Sequence, residues 1–204
     1  MAGSVADDAN EVQYITDEDD TTEPFYSQKL AVQDQIFMSR VCEMGTRPQD
    51  MLSFVMEAVR RKEKHCVADA NAPNGQYQAD FSKRERDTVY VGFKNAVSPL
   101  RVTIRLLEAI SDNPKYNKFM PLLRQLKEKV LIELFEKCEL IAQHTQKHCL
   151  GRKGNSTETE VFFNKVVGDF YRYMAEFTPK QEAKQLGMCK EKAQKAYTKA
   201  MEVA

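Results

Sequence analysis

The stretch Val161 to Phe177, VFFNKVVGDFYRYMAEF, constrains the chain most, because it carries two different faces at one helical period. Phe162, Val166, Phe170, Tyr173 and Phe177 recur at steps of three and four, the spacing of an apolar stripe that packs a core. Lys165, Asp169, Arg172 and Glu176 recur in the same way on another face, so cations and acids alternate along it. The bland account of that second face is a solvated ladder of charges. The preceding run, GRKGNSTET, reads as a loop, and Thr157 with Glu160 has the T-x-x-E spacing of a capping box.

The same period organises the rest. Leu30, Val32, Ile36, Phe37, Val41 and Cys42 form a stripe that Gly45, Thr46 and Pro48 interrupt. A second helix is expected from about Pro48 to Lys64, with proline in the first turn, where its missing N–H costs nothing. Residues 65 to 80, with Pro73, Asn74 and Gly75, read as the clearest internal loop. Ser82 and Glu85 make a second capping box, opening a helix to about 110 that Pro99 is expected to bend. Asn113-Pro114 starts the longest stretch, to about 149, with Phe119, Leu122, Leu123, Leu126, Val130, Leu134 and Ile141 as its stripe. Thr178-Pro179-Lys180-Gln181 reads as the start of the last helix. No strand is convincing, so the expected class is all-α, an antiparallel helical array of about six helices.

Charge is unevenly placed. The chain has 204 residues and a formal net charge of zero, yet residues 1 to 25 hold eight acids and no Lys or Arg. They read as an acidic disordered tail, and 26–204 as a helical domain. That body carries 30 basic residues against 22 acids, a net of +8, which points to anionic ligands. The basic residues are spread along the chain, which argues against nucleic acid. No apolar run is long enough to span a bilayer, so no membrane role is expected. Five scattered cysteines without a C-x-x-C suit reduced thiols in a cytoplasmic protein. His144, His148 and Cys149 fall at helical spacing but lack further ligands, so no metal is expected, and no cofactor either. No glycine-rich phosphate loop or nucleophile–base arrangement marks an enzyme, so no catalytic residue is assigned.

Lys94 and Arg101 lie seven apart on one helix, hence on one face, and Lys165 and Arg172 repeat that spacing. If the two helices are neighbours, these cations and the Tyr173 hydroxyl converge. A phosphoserine or phosphothreonine brings close to two negative charges and three strong acceptors, which need such a donor set.

GDFYRYMAE resembles the GDYYRYLAE segment of the 14-3-3 phosphopeptide-binding proteins, and FKNAVSPLR resembles that family's YKNVVGARR. KEKVLIELFEKC and KAQKAYTKAMEVA resemble the family's REKIETELRDIC and QSQQAYQEAFEIS, so the similarity runs from about residue 30 to the end. The resemblance implies a non-catalytic adaptor that clamps phosphorylated client proteins or peptides. Lys94, Arg101, Arg172 and Tyr173 would bind the phosphate, and Asp87, Val91, Phe162 and Lys165 would line the groove. The family has nine helices, and this chain stops where the sixth ends, so the domain is expected to be C-terminally incomplete. The family's homodimer forms through its N-terminal helices. Its Arg-Tyr pair there reads Pro48-Gln49 here, and a fourth-helix Tyr reads Leu126, which leaves a homodimer held by apolar packing. The competing account is a phosphate-independent, helical-repeat-like scaffold, which the small-aromatic-small texture of AQKAYTKAMEVA suggests.

Overall fold

A computed structural model describes residues 30–68 and 80–204, side chains 64 to 68 excepted. The acidic tail, and the loop residues Pro73, Asn74 and Gly75, lie outside the described residues. Six α-helices form: α1 Val32–Met44, α2 Pro48–Ala68, α3 Lys83–Ser111, α4 Met120–His148, α5 Thr157–Phe177 and α6 Ala183–Val203. A 3-10 turn, Pro114–Phe119, links α3 to α4, and the described residues contain no strand. The all-α expectation holds.

Consecutive helices pack on one another and run antiparallel, as where Met51 and Lys62 of α2 meet Asn95 and Glu85 of α3 in reverse order. Alternate helices are therefore parallel, and the cross-links agree. Gln49, Met56 and Glu63 of α2 meet Lys137, His144 and His148 of α4 in the same order. Arg86 and Arg101 of α3 meet Thr159 and Glu176 of α5 likewise. The odd-numbered helices thus form one layer and the even-numbered ones the other. Between them lies a core that includes Phe93, Phe163, Phe170, Ile104, Leu134 and Ile141, all without solvent exposure.

Several local expectations hold and others are corrected. Ser82 caps α3 as expected: its Oγ accepts from the Glu85 amide at 3.3 Å, and the Glu85 carboxylate accepts from the Ser82 amide at 2.7 Å. The cap of α5 is Ser156, not Thr157. Ser156 is extended and accepts from the Thr159 amide at 3.2 Å. Glu160 turns instead into the preceding loop, taking the Gly151 amide at 2.8 Å and the Asn155 side chain at 2.6 Å. Thr178 does not open α6. Its hydroxyl donates to the Met174 carbonyl at 2.8 Å and its amide to the same oxygen, so it closes α5 and α6 begins at Ala183. The second helix continues four residues past Lys64 to Ala68, and the first begins at Val32.

Two apolar stripes are only partly buried. On α1, Ile36 and Cys42 face inward with Gln35 and Ser39, while Phe37, Val41 and Met44 face out. On α4, Val130, Leu134 and Ile141 are buried, but Leu122 and Leu126, with Phe119 of the preceding 3-10 turn, are exposed. The observed α2–α4 bonds begin at Lys137, so the first turns of α4 extend beyond that cover.

Candidate functional site

The helices α3 and α5 lie side by side in one layer, and α5 brings its charged face against α3. Gly168 lets α6 approach closely: a Cβ there would stand 2.6 Å from the Tyr197 ring. The Tyr197 hydroxyl accordingly reaches back over α5, donating to Asp169 Oδ1 at 2.8 Å and accepting from Arg172 Nε at 3.3 Å. Asp169 is buried at 6% exposure and gathers two more donors, Lys165 Nζ at 3.2 Å and Arg172 Nη2 at 3.3 Å. Burial works against the charged form of Arg172, but its bonds to Tyr197 and Asp169 outweigh it and hold the guanidinium charged.

The expected ladder along α5 therefore ends at Arg172. Glu176 bonds across to α3 instead, accepting from Arg101 Nη2 at 2.8 Å and from Arg105. Burial pushes the Glu176 carboxyl up, and the two arginines bring it below the ordinary carboxylate range. Arg101 also stacks on the Tyr173 ring, 3.8 Å from the centroid, and Arg172 stands 4.7 Å from the same ring. One aromatic ring thus contacts two guanidinium groups from different helices. Arg101 Nε is buried and has no hydrogen-bond partner among the described residues. Such an orphan donor costs on the order of 1–3 kcal/mol unless something fills it.

Of the eight residues expected at this site, five gather around one point. Arg101, Arg172 and Tyr173 touch one another as described, and Lys165 reaches the cluster through Asp169. Phe162 meets α3 through the edge of Tyr90, centroids 6.2 Å apart. Lys94 is exposed on α3, seven residues before Arg101, and makes no ion pair with a described residue. Asp87 and Val91 face elsewhere. They line a hollow of about 450 Å³ with Arg40, Glu43, Lys83 and Arg84, and Val91 packs toward Cys42, Met51 and Phe54. Three residues of the cluster escaped the sequence reading: Tyr90, Arg105 and Tyr197. The signals for the first two were present, since Tyr90 precedes Lys94 by four and Arg105 follows Arg101 by four. Nothing local marks Tyr197, whose role depends on the packing of α6 over Gly168.

His144 and His148 both face α2. His144 Nε2 lies 3.0 Å from the Met56 carbonyl, and His148 Nδ1 lies 2.5 Å from Glu63. Among the described residues no group of three His, Cys, Asp or Glu side chains is placed to hold a metal ion, and no helix is long and apolar enough to cross a membrane.

The model of the 14-3-3 protein family matches residues 38–204, most of α1 and all of α2 to α6. The chain belongs to the 14-3-3 family. Among similar proteins, the 14-3-3 protein of Eimeria tenella is 27% identical over 179 residues, 86% of this chain and 62% of that one. The 14-3-3 protein 2 of Entamoeba histolytica is 26% identical over 175 residues, 84% of this chain and 65% of that one. The 14-3-3-like protein GF14 epsilon of Arabidopsis thaliana is 29% identical over 171 residues, 82% of this chain and 61% of that one. This 14-3-3 chain therefore spans about three fifths of the length of the curated relatives it matches.

Proposed function

We propose that the chain acts as an adaptor that holds phosphoserine or phosphothreonine peptides of client proteins against the α3–α5 face. The observation that carries this reading is the pair of guanidinium groups on Tyr173, each held in place by an acid. Five cations (Lys94, Arg101, Arg105, Lys165 and Arg172) stand against two acids (Asp169 and Glu176), a local excess of +3. A phosphate monoester carries nearly two negative charges and three acceptors, and guanidinium forks suit it better than ammonium groups. The acids do not cancel the site. They hold the arginines in place, which lowers the ordering cost of binding. Lys94, Arg101, Arg172 and Tyr173 would take the phosphate, with Lys165 and Phe162 beside them, and no step of this role calls for catalysis.

Fluorescence anisotropy of a labelled R-S-x-S-x-P peptide, with and without phosphate on the second serine, tests this. Phosphate-dependent binding is expected, weakened at least ten-fold by Arg172→Ala, since a charge-assisted bond is worth about 1.5–3 kcal/mol. Asp169 keeps Lys165 and Tyr197 in that variant, so the fold survives the change. Equal binding of the two peptides would favour the phosphate-independent scaffold instead. The assay includes a chain extended past Ala204 if the gene encodes one. A homodimer through the N-terminal helices fits the outward Phe37, Val41 and Met44 of α1 and Leu122 and Leu126 of α4. Light scattering of the purified chain tests that arrangement, and a mass of 23.4 kDa at all concentrations would refute it.

A further inference from the structure

A second concentration of cations lies in the other layer of helices. Lys192, Lys195 and Lys199 of α6 fall at steps of three and four, so they share one face over two turns. They border a cavity of about 600 Å³ between α4, α5 and α6, together with Glu139 and Gln143 of α4 and Tyr171 of α5. The α5 residues on this cavity, Asn164, Val167 and Tyr171, occupy the side of that helix away from Lys165, Asp169 and Arg172. The cavity is therefore separate from the α3–α5 face.

Among the described residues lining the cavity, the only carboxylate is already engaged. Glu139 Oε1 accepts from Gln143 Nε2 at 2.9 Å, from the Tyr171 hydroxyl at 3.3 Å and from Lys192 Nζ at 3.4 Å. Lys192 also lies over the Tyr171 ring, 4.7 Å from its centroid, which holds its head group at the cavity. Lys195 and Lys199 are exposed and make no ion pair or hydrogen bond with a described residue. Three cations thus face one acid, a local excess of +2. In the family segment QSQQAYQEAFEIS, set beside KAQKAYTKAMEVA, the same three positions hold Gln, Gln and Glu, so the lysines are this chain's departure from that pattern. A solvated lysine face would explain the exposed heads, but not the cavity that all three border.

The class of ligand follows from the type and spacing of these donors. An ammonium is a compact point charge without the paired geometry of a guanidinium, so it selects for charge and not for the shape of one phosphate. Lys192 and Lys199 lie seven residues apart, about 10 Å along the helix. Charges strung along that length pair all three ammonium groups without crowding them, as a single phosphate would. The cavity also falls within the roughly 300–1,000 Å³ of small-molecule sites. We propose that the α4–α6 cavity is a second anion site, which takes a small molecule carrying several linked phosphate groups along Lys192, Lys195 and Lys199. This assignment does not rest on the phosphopeptide reading.

Isothermal titration calorimetry with inorganic tripolyphosphate tests the site, using the full chain with Arg172→Ala throughout to weaken the α3–α5 face. Tripolyphosphate is expected to bind, and orthophosphate about ten-fold more weakly. Adding Lys195→Gln and Lys199→Glu, which restores the family's residues at exposed helical positions, is expected to weaken tripolyphosphate about ten-fold or more. The same change of charge away from the cavity, Lys180→Glu with Lys184→Gln, is expected to alter it by about two-fold at most, because screened charges act weakly at a distance. No binding of tripolyphosphate, or binding that survives Lys195→Gln with Lys199→Glu, would overturn the proposal. Equal losses in the two charge variants, or equal affinity for the two phosphates, would reduce it to general attraction and overturn it as well. In a chain that keeps Arg172, the Lys195→Gln/Lys199→Glu pair is expected to leave binding of the labelled phosphopeptide unchanged, and a joint loss of both ligands would refute a separate site. Failure of the phosphopeptide to bind any chain would sink the adaptor reading and leave the tripolyphosphate result standing.

Discussion

Replacing Gly168 by alanine probes the contact that ties the fold to the site. In an open helix interior the change is stabilising, because alanine exceeds glycine by about 0.8–1.0 kcal/mol in helix propensity. Here the new Cβ would stand 2.6 Å from Tyr197 Cε1 and 2.8 Å from two more ring carbons. The ring must retreat by roughly 1 Å to reach an ordinary carbon–carbon separation. Overpacking of this kind costs about 1–3 kcal/mol. The Tyr197 hydroxyl also moves off Asp169, which it holds at 2.8 Å, and a bond to a charged group is worth about 1.5–3 kcal/mol. Setting the propensity gain against these losses leaves a net destabilisation of about 1.5–5 kcal/mol. Urea unfolding followed by circular dichroism measures it. The decisive comparison is the same substitution in a Tyr197→Ala background, where the clash is gone and the propensity term should reappear as a gain of a few tenths to about 1 kcal/mol. A sign reversal between backgrounds is the expected signature. Stabilisation by Gly168→Ala in the unsubstituted chain would refute the close-approach argument.

Two further substitutions test the interior electrostatics. Lys62 and Glu85 are buried together at 2.7 Å, and Lys62→Met strands a carboxylate that keeps only the Ser82 amide and Gln33. Breaking a buried pair costs about 3–5 kcal/mol, and the remaining donors bring this to about 2–3 kcal/mol in a urea titration, a gain in stability being the refuting result. For His144, burial first and the neighbouring His148 second lower the ring to about 4, against an ordinary 6.5 for histidine. The unfolded chain therefore takes up a proton below about pH 6.5 while the folded one does not, and stability falls on acidification down to about pH 4 by at most about 1.4 kcal/mol per pH unit. Glu63 and Met56 stay in place in His144→Gln, which should remove about 1–2 kcal/mol of the loss between pH 7 and pH 5; an unchanged slope would refute the assignment.

Most of the fold was legible because it depends on local period. Helices α2 to α5 follow stripes and breakers that stand in the sequence, and the Ser82–Glu85 box is read as it folds. The misreadings share a cause, which is competition for one side chain. Ser156 and Thr157 are adjacent and either can cap a helix. The loop before them selects Ser156, through Gly151 and Gly154 at positive φ and Asn155 bonded to the Cys149 carbonyl. Thr178 has the residue type of an N-cap, yet its hydroxyl is engaged by the helix behind it. The α1 stripe failed for a tertiary reason. Gln35 and Ser39 are the residues that meet the core, and no local rule places them there ahead of Phe37 and Val41.

The site was legible as an inventory of cations and not as an arrangement. Spacing put Lys165, Asp169, Arg172 and Glu176 on one face, and a ladder was the economical expectation. The fold partitions them instead. Asp169 keeps the α5 cations and is held from behind by Tyr197, while Glu176 is drawn across to Arg101 and Arg105. That division has a consequence for how the face meets an anion. Each arginine on Tyr173 is anchored through part of its guanidinium, so its remaining donors keep a fixed direction. On the proposed reading, an incoming phosphate would meet donors already oriented by buried or half-buried acids. Such binding would cost less ordering than it would with free surface cations, and the acids would keep their original partners. Removing Glu176 would free more positive charge and still weaken this preorganisation. On this face, charge count and affinity are separate quantities.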